Sequence, residues 1–116
     1  MEALSELDAI AAVPGYDMLF FGPGDFSQSI GAPGDWNNPK LIEARKLVAQ
    51  AAKKHGKFAA TSGGINSLDE FLQLGYQFVN VGADVVGLGQ YCDTLVQQFQ
   101  ERSPASNSTS GSGKPY

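Results

Sequence analysis

A chain of 116 residues is long enough for one small domain, and its net charge is -4 with 42% hydrophobic and 17% charged residues. No lysine–arginine cluster extends beyond Lys53-Lys54, which argues against nucleic acid as a partner. The single cysteine, Cys92, excludes an internal disulfide and favours a reducing, cytoplasmic location. No stretch approaches the roughly 20 apolar residues of a membrane span, so we expect no membrane partner.

The first half of the chain predicts a helix, a strand and a second helix. Over residues 2–13, apolar side chains recur every three positions and end at Pro14-Gly15, as in an amphipathic helix. The apolar run "DMLFFG" (17–22) is too short for a helix and is typical of a parallel strand covered on both faces. After a turn-rich loop, a helix runs from Pro39 to the glycine at 56. Its predicted buried face consists of Leu41, Ala44, Val48, Ala51 and Ala52.

The second half alternates in the same way. "FAAT" (58–61) and "YQFVNVG" (76–82) are predicted strands. Between them, residues 67–70 match a capping box that opens a helix closed by Gly75. A last helix is predicted over 90–100. We therefore expect one α/β domain over residues 1–101 and a disordered Ser/Gly-rich tail over 102–116.

Alternating strands and helices predict parallel strands with right-handed crossovers, and ligands of such folds bind at the carboxyl ends of the strands. All three predicted strands end in short stretches that combine glycine with polar residues, at 22–25, 61–64 and 82–84. Glycine lets backbone amides approach an anion, and an aspartate there can reach a hard cation. The pattern suggests an anionic substrate beside a metal held by Asp25. The alternative is that the glycines only form turns and Asp25 caps the following helix.

The stretch "FFGPGDFSQSIG" (20–31) resembles the motif of strand 6 in the HpcH/HpaI aldolase family of metal-dependent 2-oxo-acid aldolases. The resemblance continues through "DAIAAVPGYD", "KKHGK" and "LGYQFVNVGADVVGL" and covers about residues 3–100. It implies that the chain is the C-terminal portion of a (β/α)8 TIM barrel, from helix 5 to helix 8, with three parallel strands.

The resemblance also implies a site. Asp25 would bind the divalent metal, which in the family is Mg²⁺, Mn²⁺ or Co²⁺. The backbone amides of Gly24 and Asp25, and more loosely Gly22, would hold the carboxylate of pyruvate. Thr61 and Ser62 would line the substrate pocket. The implied reaction is cleavage of a 4-hydroxy-2-oxo acid to pyruvate and an aldehyde, and the family implies a homo-oligomer.

The sequence departs from the family pattern at the rest of the site. The second metal ligand of the family is a glutamate at the end of strand 5, and its histidine base and arginine come from earlier strands. Glu2, Arg45 and His55 lie on predicted helices and match none of these positions. We therefore leave the catalytic base unassigned, expect it upstream of this chain, and expect the chain to be inactive alone.

Two other hypotheses stay open. The chain could be a non-catalytic half-barrel that self-associates or pairs with a partner subunit through the exposed edge of its first strand. Alternatively, "TSGG" and "GAD" could form a phosphate site after strands 7 and 8 of a different barrel enzyme. Within the resembling superfamily, the motif does not separate aldolases from lyases that act on CoA esters.

Overall fold

A computed structural model describes residues 2–103, which divide into two compact units, one up to Gly82 and one from Ala83 onward. The helices of the first unit are α1 (Glu2–Ser5), α2 (Leu7–Ala12), α3 (Pro23–Ser29), α4 (Pro39–Lys54) and α5 (Leu68–Leu74). Its strands are β1 (Met18–Phe21), β2 (Phe58–Gly63) and β3 (Phe78–Val81). The second unit contains α6 (Asp84–Arg102). Arg102 is therefore helical, and the rest of the predicted tail, from residue 104, lies outside the described residues.

The three strands form one parallel sheet in the order β1-β2-β3, as the alternation of elements predicts. In register, Phe20 lies opposite Ala60 and Ala60 opposite Phe78, while Phe21 lies opposite Thr61. Because side chains alternate along a strand, each such row shares one face of the sheet. Because the strands are parallel, their carboxyl ends lie together at one end of the sheet, where the candidate site begins.

The core lies between α4 and the sheet face that carries Phe21. All five predicted core residues of α4 are buried: Leu41, Ala44, Val48, Ala51 and Ala52. The alanines let the helix approach the strands closely, and they pack with Phe21 and Ala59. The predicted boundaries are also confirmed. The Asn38 side chain accepts a hydrogen bond from the Lys40 amide at 3.1 Å, and Gly56 ends the helix region with a φ of 65°.

The opposite sheet face is exposed, so the prediction of strands covered on both faces is wrong for this part of the chain. Met18, Phe20, Phe58 and Phe78 on that face are 38–56% exposed. A continuous apolar run shows that both faces of a strand are apolar. It does not show whether the residues that cover both faces belong to the same chain.

Three helix boundaries differ from the prediction. The first helix is interrupted at Glu6, which separates α1 from α2. The stretch after β1, for which no helix was predicted, forms α3 with Pro23 in its first turn, where a fixed φ suits a helix. The last helix begins at Asp84 rather than at residue 90, because two glycines within it weaken the pattern without breaking the helix.

A helix starts at the predicted capping box, residues 67–70, but the Ser67 side chain does not cap it. Ser67 makes no side-chain capping bond and has a φ of -100° and a ψ of 2°, unlike the extended backbone of an N-cap. The reason is the short 3-10 turn at Ile65–Ser67, which already leads the chain into α5. Within residues 2–103, none of the helices is both long and apolar enough to cross a membrane.

Candidate metal and carboxylate site

Asp25 lies just past the carboxyl end of β1, in the first turn of α3. Gly22 is the N-cap, with extended backbone at φ -91° and ψ 92°, and Pro23 starts the helix. One helical turn brings the exposed Asp25 carboxylate back over the N-cap. Its Oδ2 lies 3.5 Å from the position that a Cβ on Gly22 would occupy. The carboxylate is therefore presented to solvent at the strand end, where a cation can reach it.

The backbone around Asp25 offers amide donors. The amides of Gly24 and Asp25 lie in the first turn of a helix, where an N–H has no intrahelical acceptor. The next amide, that of Phe26, already donates to the Gly22 carbonyl at 3.0 Å. A Cβ added to Gly24 would find nothing within 4 Å, so the space over this residue is open. The open space beside Gly24 leaves room for a ligand at this turn.

Contacts below α3 hold this turn in place. The Ser27 hydroxyl is buried, donates to the Gly24 carbonyl at 2.7 Å and accepts from the Gly34 amide at 3.2 Å. The Phe26 ring packs 5.5 Å from the Phe21 ring, measured between centroids. Ser27 is a positioning residue that the sequence reasoning missed. A serine in a loop-like stretch gives no sign that its hydroxyl is buried.

Thr61 and Ser62 lie on opposite faces of β2. Thr61 is fully buried, and its hydroxyl donates to the Phe21 carbonyl at 3.0 Å. Ser62 is partly exposed on the open face, in register with Asn80 of β3. Thr61 thus holds the carboxyl end of β1 from the buried face of the sheet. Ser62 and Asn80 place polar groups on the exposed face. The substrate-binding roles of Thr61 and Ser62 stay predictions. Asn80 was not predicted as a site residue, although a polar residue inside an apolar strand is a signal that could have identified it.

Asp25 fits a divalent cation as one oxygen ligand, but the described residues do not complete a metal site. Among them, no group of three or more His, Cys, Asp or Glu residues is arranged to hold a metal. Hard cations in proteins take several oxygen ligands, so further ligands must be added to the Asp25 carboxylate. Asp84 follows β3 at the start of α6. Its Oδ1 already accepts a hydrogen bond from the adjacent Val85 amide at 2.7 Å.

Arg45 and His55 make structural contacts instead of taking part in the site. The buried Arg45 guanidinium lies 3.2 Å from Glu70 and stacks 4.7 Å from the centroid of Phe71. His55 Nε2 lies 2.8 Å from the Asp8 carboxylate, which connects α4 to α2. Both contacts agree with the expectation that neither residue corresponds to the base or the arginine of the resembling family.

Packing and backbone geometry explain two glycines of the alternative phosphate site, Gly63 and Gly82. A Cβ on Gly63 would lie 2.7 Å from Phe71 Cζ, so a side chain there would collide with the core. Gly82 has a φ of 91°, in the left-handed region that favours glycine. Packing and turn geometry therefore account for both glycines without a phosphate.

Comparison with known proteins identifies relatives along most of the chain. The profile of the HpcH/HpaI aldolase/citrate lyase family matches residues 1–89. The hydroxypyruvate/pyruvate aldolase of Pseudomonas aeruginosa is 36% identical over 115 residues, which are 95% of this chain and 41% of the relative. The enzyme of the same name from Deinococcus radiodurans is 38% identical over 105 residues, covering 86% of this chain and 36% of the relative. The chain therefore spans about two fifths of the length of these curated relatives.

Solved structures agree with the sequence comparison. The HpcH/HpaI aldolase from Desulfitobacterium hafniense superposes with a TM-score of 0.81 at 27% identity, over 90% of this chain and 41% of that chain. A family member from Burkholderia cenocepacia superposes with a TM-score of 0.74 at 31% identity, over 84% of this chain and 38% of that chain. The three parallel strands and their helices thus match part of a TIM-barrel-like aldolase fold. Together with the Gly-Pro-Gly-Asp turn after β1, these matches lead to one conclusion: this chain belongs to the HpcH/HpaI aldolase/citrate lyase family.

Proposed function

We propose that this chain is the metal-binding and substrate-binding C-terminal part of a divalent-metal-dependent aldolase. The aldolase cleaves a 4-hydroxy-2-oxo acid to pyruvate and an aldehyde. Asp25 is one metal ligand, and the Gly24 and Asp25 amides, with Gly22 beside them, bind the substrate carboxylate. The chain is inactive until further ligands and a base are supplied, and the active protein is a cytoplasmic homo-oligomer.

The observation that carries this proposal is the turn after β1. It combines an exposed carboxylate, two first-turn amides and open space over Gly24. The names of relatives support the substrate class, because those from Pseudomonas aeruginosa and Rhizobium etli are called a hydroxypyruvate/pyruvate aldolase and a pyruvate aldolase. The 2-oxo acid fits the turn chemically, since its carboxylate suits the amides and its oxo group suits a cation at Asp25.

The residues of this chain act by binding and orientation. The amides of Gly24 and Asp25 would bind the substrate carboxylate beside the Asp25 side chain, which would hold the divalent ion. Buried Ser27 and Thr61 hold both sides of the turn, so its donors stay in place during the reaction. A bound divalent ion supplies a Lewis acid that stabilises negative charge developing on the 2-oxo acid when the carbon–carbon bond breaks.

A hybrid enzyme tests the proposal. This chain replaces the matching 115 residues of the Pseudomonas aeruginosa relative, and pyruvate release from a 4-hydroxy-2-oxo acid is followed with and without Mn²⁺. We expect metal-dependent release that falls at least about a hundredfold in Asp25→Asn, as for loss of a group that stabilises developing charge. The matched control is Asp17→Asn, an exposed aspartate just before β1, which should leave the rate unchanged.

The hybrid also decides between this proposal and a non-catalytic pairing module. The exposed sheet face of Met18, Phe20, Phe58 and Phe78 favours that second candidate. A hybrid that folds cooperatively, shown by a sharp thermal transition, but releases no pyruvate would contradict the aldolase proposal and favour the module. Equal rates in Asp25→Asn and Asp17→Asn would contradict the role of Asp25.

A further inference from the structure

Two polar side chains lie on neighbouring strands at the carboxyl end of the sheet. In the parallel pairing of β2 with β3, Ser62 lies opposite Asn80, so both side chains are on the same face. This is the exposed face, and both residues are at least partly open to solvent. Within residues 2–103, neither the Ser62 hydroxyl nor the Asn80 carboxamide makes a hydrogen bond to the protein. The pair is therefore available to a ligand.

Asn80 is unusual for its place in a strand. Asparagine is depleted in strands because its side chain competes with the ladder for backbone hydrogen bonds, and the other three residues of β3 are apolar. The adjacent row on the same face is also apolar, since it consists of Phe20, Ala60 and Phe78. A polar residue that both local propensity and its neighbours disfavour is typical of a functional position.

The pair continues a row of residues that begins at the turn after β1. Phe21 lies opposite Thr61. The next residues, Gly22 and Ser62, are therefore at the same level of the sheet, and Asn80 pairs with Ser62. Adjacent strands are about 4.8 Å apart, which places Ser62 about 5 Å and Asn80 about 10 Å from the end of β1. The pair is thus within reach of the far end of an acid whose carboxylate binds at this turn.

The chemistry of the pair favours a ligand with hydroxyl groups. A serine hydroxyl and a carboxamide both donate and accept hydrogen bonds, as an alcohol does. None of the three described strands contains a lysine or arginine, so a second carboxylate would meet no cation on this face. A hydrocarbon chain would displace water from both groups without replacing its hydrogen bonds.

We propose that Ser62 and Asn80 select the part of the substrate that leaves as the aldehyde, and that this part carries further hydroxyl groups. The Asn80 carboxamide binds a hydroxyl at the far end of the 4-hydroxy-2-oxo acid, and the Ser62 hydroxyl binds one nearer the turn. The inference rests on the proposed function, because it concerns the substrate of the same site. It adds Asn80 as a specificity-determining residue and a polyhydroxylated acid as the substrate class.

A pair of substrates offered to the hybrid enzyme tests the inference. The hybrid carries this chain in place of the 115 matched residues of the Pseudomonas aeruginosa relative. Its substrates are 4,5,6-trihydroxy-2-oxohexanoate and 4-hydroxy-2-oxohexanoate, which differ only in hydroxyl groups. We expect kcat/KM to be about tenfold higher for the trihydroxy acid, as one or two hydrogen bonds between neutral groups provide. Asn80→Leu should remove most of this preference by slowing cleavage of the trihydroxy acid alone, and Ser62→Ala should reduce it by a smaller factor.

Gln73→Leu is the matched control. It also replaces a carboxamide with leucine, but at an exposed position of α5. It should leave the preference between the two acids unchanged. If Asn80→Leu shows no cooperative thermal transition and has therefore not folded, Asn80→Ala replaces it with the same expected loss of preference.

The outcomes separate this inference from the proposed function. An unchanged preference in Asn80→Leu, with metal-dependent cleavage intact, would overturn the inference and leave the proposed function standing. If the hybrid cleaves neither acid, the proposed function fails, and calorimetric titration of the hybrid with each acid then decides the inference. Tighter binding of the trihydroxy acid that is lost in Asn80→Leu would support the pair as a hydroxyl-binding site. Equal binding of the two acids, or binding of neither, would overturn it.

Discussion

Gly24 is the residue at which stability and substrate binding should respond in opposite directions. It lies in the first turn of α3 with helical backbone, and a Cβ there would meet no protein atom within 4 Å. Gly24→Ala should therefore leave the free energy of unfolding of the chain unchanged or raise it by up to about 1 kcal/mol. In the hybrid enzyme, the added methyl group would occupy the carboxylate position and raise KM at least about tenfold. Urea unfolding and steady-state kinetics measure the two effects.

Gly87→Ala provides the matched control for Gly24→Ala. Gly87 is likewise a helical glycine whose added Cβ would meet nothing within 4 Å, but it lies in α6. It should give a similar gain in stability with an unchanged KM. An unchanged KM in Gly24→Ala would show that the carboxylate binds elsewhere.

At the residue scale, sequence reasoning found the exposed group and missed the supports around it. Asp25 was identifiable because a carboxylate after a glycine-rich strand end is visible in the sequence. The buried hydroxyl of Ser27 was not, because its two hydrogen bonds depend on a loop returning to Gly34. Thr61 was identified as a pocket residue, but the structure gives its hydroxyl a backbone partner in β1. Sequence does not show which side of a strand each residue faces until the register is known.

The contact between α2 and α4 should depend on pH. Asp8 Oδ1 accepts hydrogen bonds from Lys54 Nζ at 2.6 Å and contacts His55 Nε2 at 2.8 Å. The hydrogen bond from Lys54, and then that from His55, lowers the pKa of the Asp8 carboxyl. Because the folded state favours the ionised carboxylate, its stabilisation is present at neutral pH and is lost as the pH falls below about 4.

Unfolding of Asp8→Asn across pH measures this contribution. We expect the variant to be less stable than the natural chain at pH 7, and the difference between them to shrink towards pH 3. Asp93→Asn, an exposed aspartate of α6, should show no such trend. A stability difference for Asp8→Asn that stays constant from pH 7 to pH 3 would contradict the assignment.

Packing of α5 on β2 depends on the missing side chain of Gly63. A Cβ at this position would lie 2.7 Å from Cζ of Phe71, which is 1% exposed and therefore unable to move aside. Gly63→Ala should lower the free energy of unfolding by about 1–3 kcal/mol, as overpacking does in other cores. Thermal or urea unfolding measures the loss.

The neighbouring glycine is the control for Gly63→Ala. Gly64 has a φ of -84°, which any residue adopts, and a Cβ there would meet nothing within 4 Å. Gly64→Ala should therefore leave stability unchanged. Equal stability of the two alanine variants would disprove the packing argument.

At the element scale, strongly patterned segments were predicted well and glycine-containing ones poorly. The bounds of α4 follow from an apolar stripe, an N-terminal proline and a terminal glycine, all local signals. Short α3 carries glycine in its first turn and reads as a loop, although Pro23 is a start signal. Likewise, Gly87 and Gly89 hide the first turns of α6. Local propensity underestimates a helix wherever glycine interrupts its pattern.

For the molecule as a whole, the sequence predicts the order and direction of the strands better than it predicts which surfaces of the sheet are buried. Alternating elements were sufficient to predict a parallel sheet, and the parallel pairing of β1 with β2 and of β2 with β3 confirms it. The exposed aromatic face was not predictable from composition, because the same apolar residues suit a covered sheet, whereas the exposed edge of the first strand was expected. Both are surfaces that further parts of the family fold would cover.

Metal binding by Asp25 at the carboxyl end of β1 is the proposal on which the function of this site depends. The most direct measurement is a Mn²⁺ titration of the hybrid enzyme, whose remaining residues would supply further ligands, with paramagnetic broadening of backbone amide signals in NMR spectra as the readout. We expect selective broadening at Gly24, Asp25 and Phe26 that disappears in Asp25→Asn and persists in Asp17→Asn. Broadening that is spread over other exposed acidic residues, or is unchanged in Asp25→Asn, would contradict it.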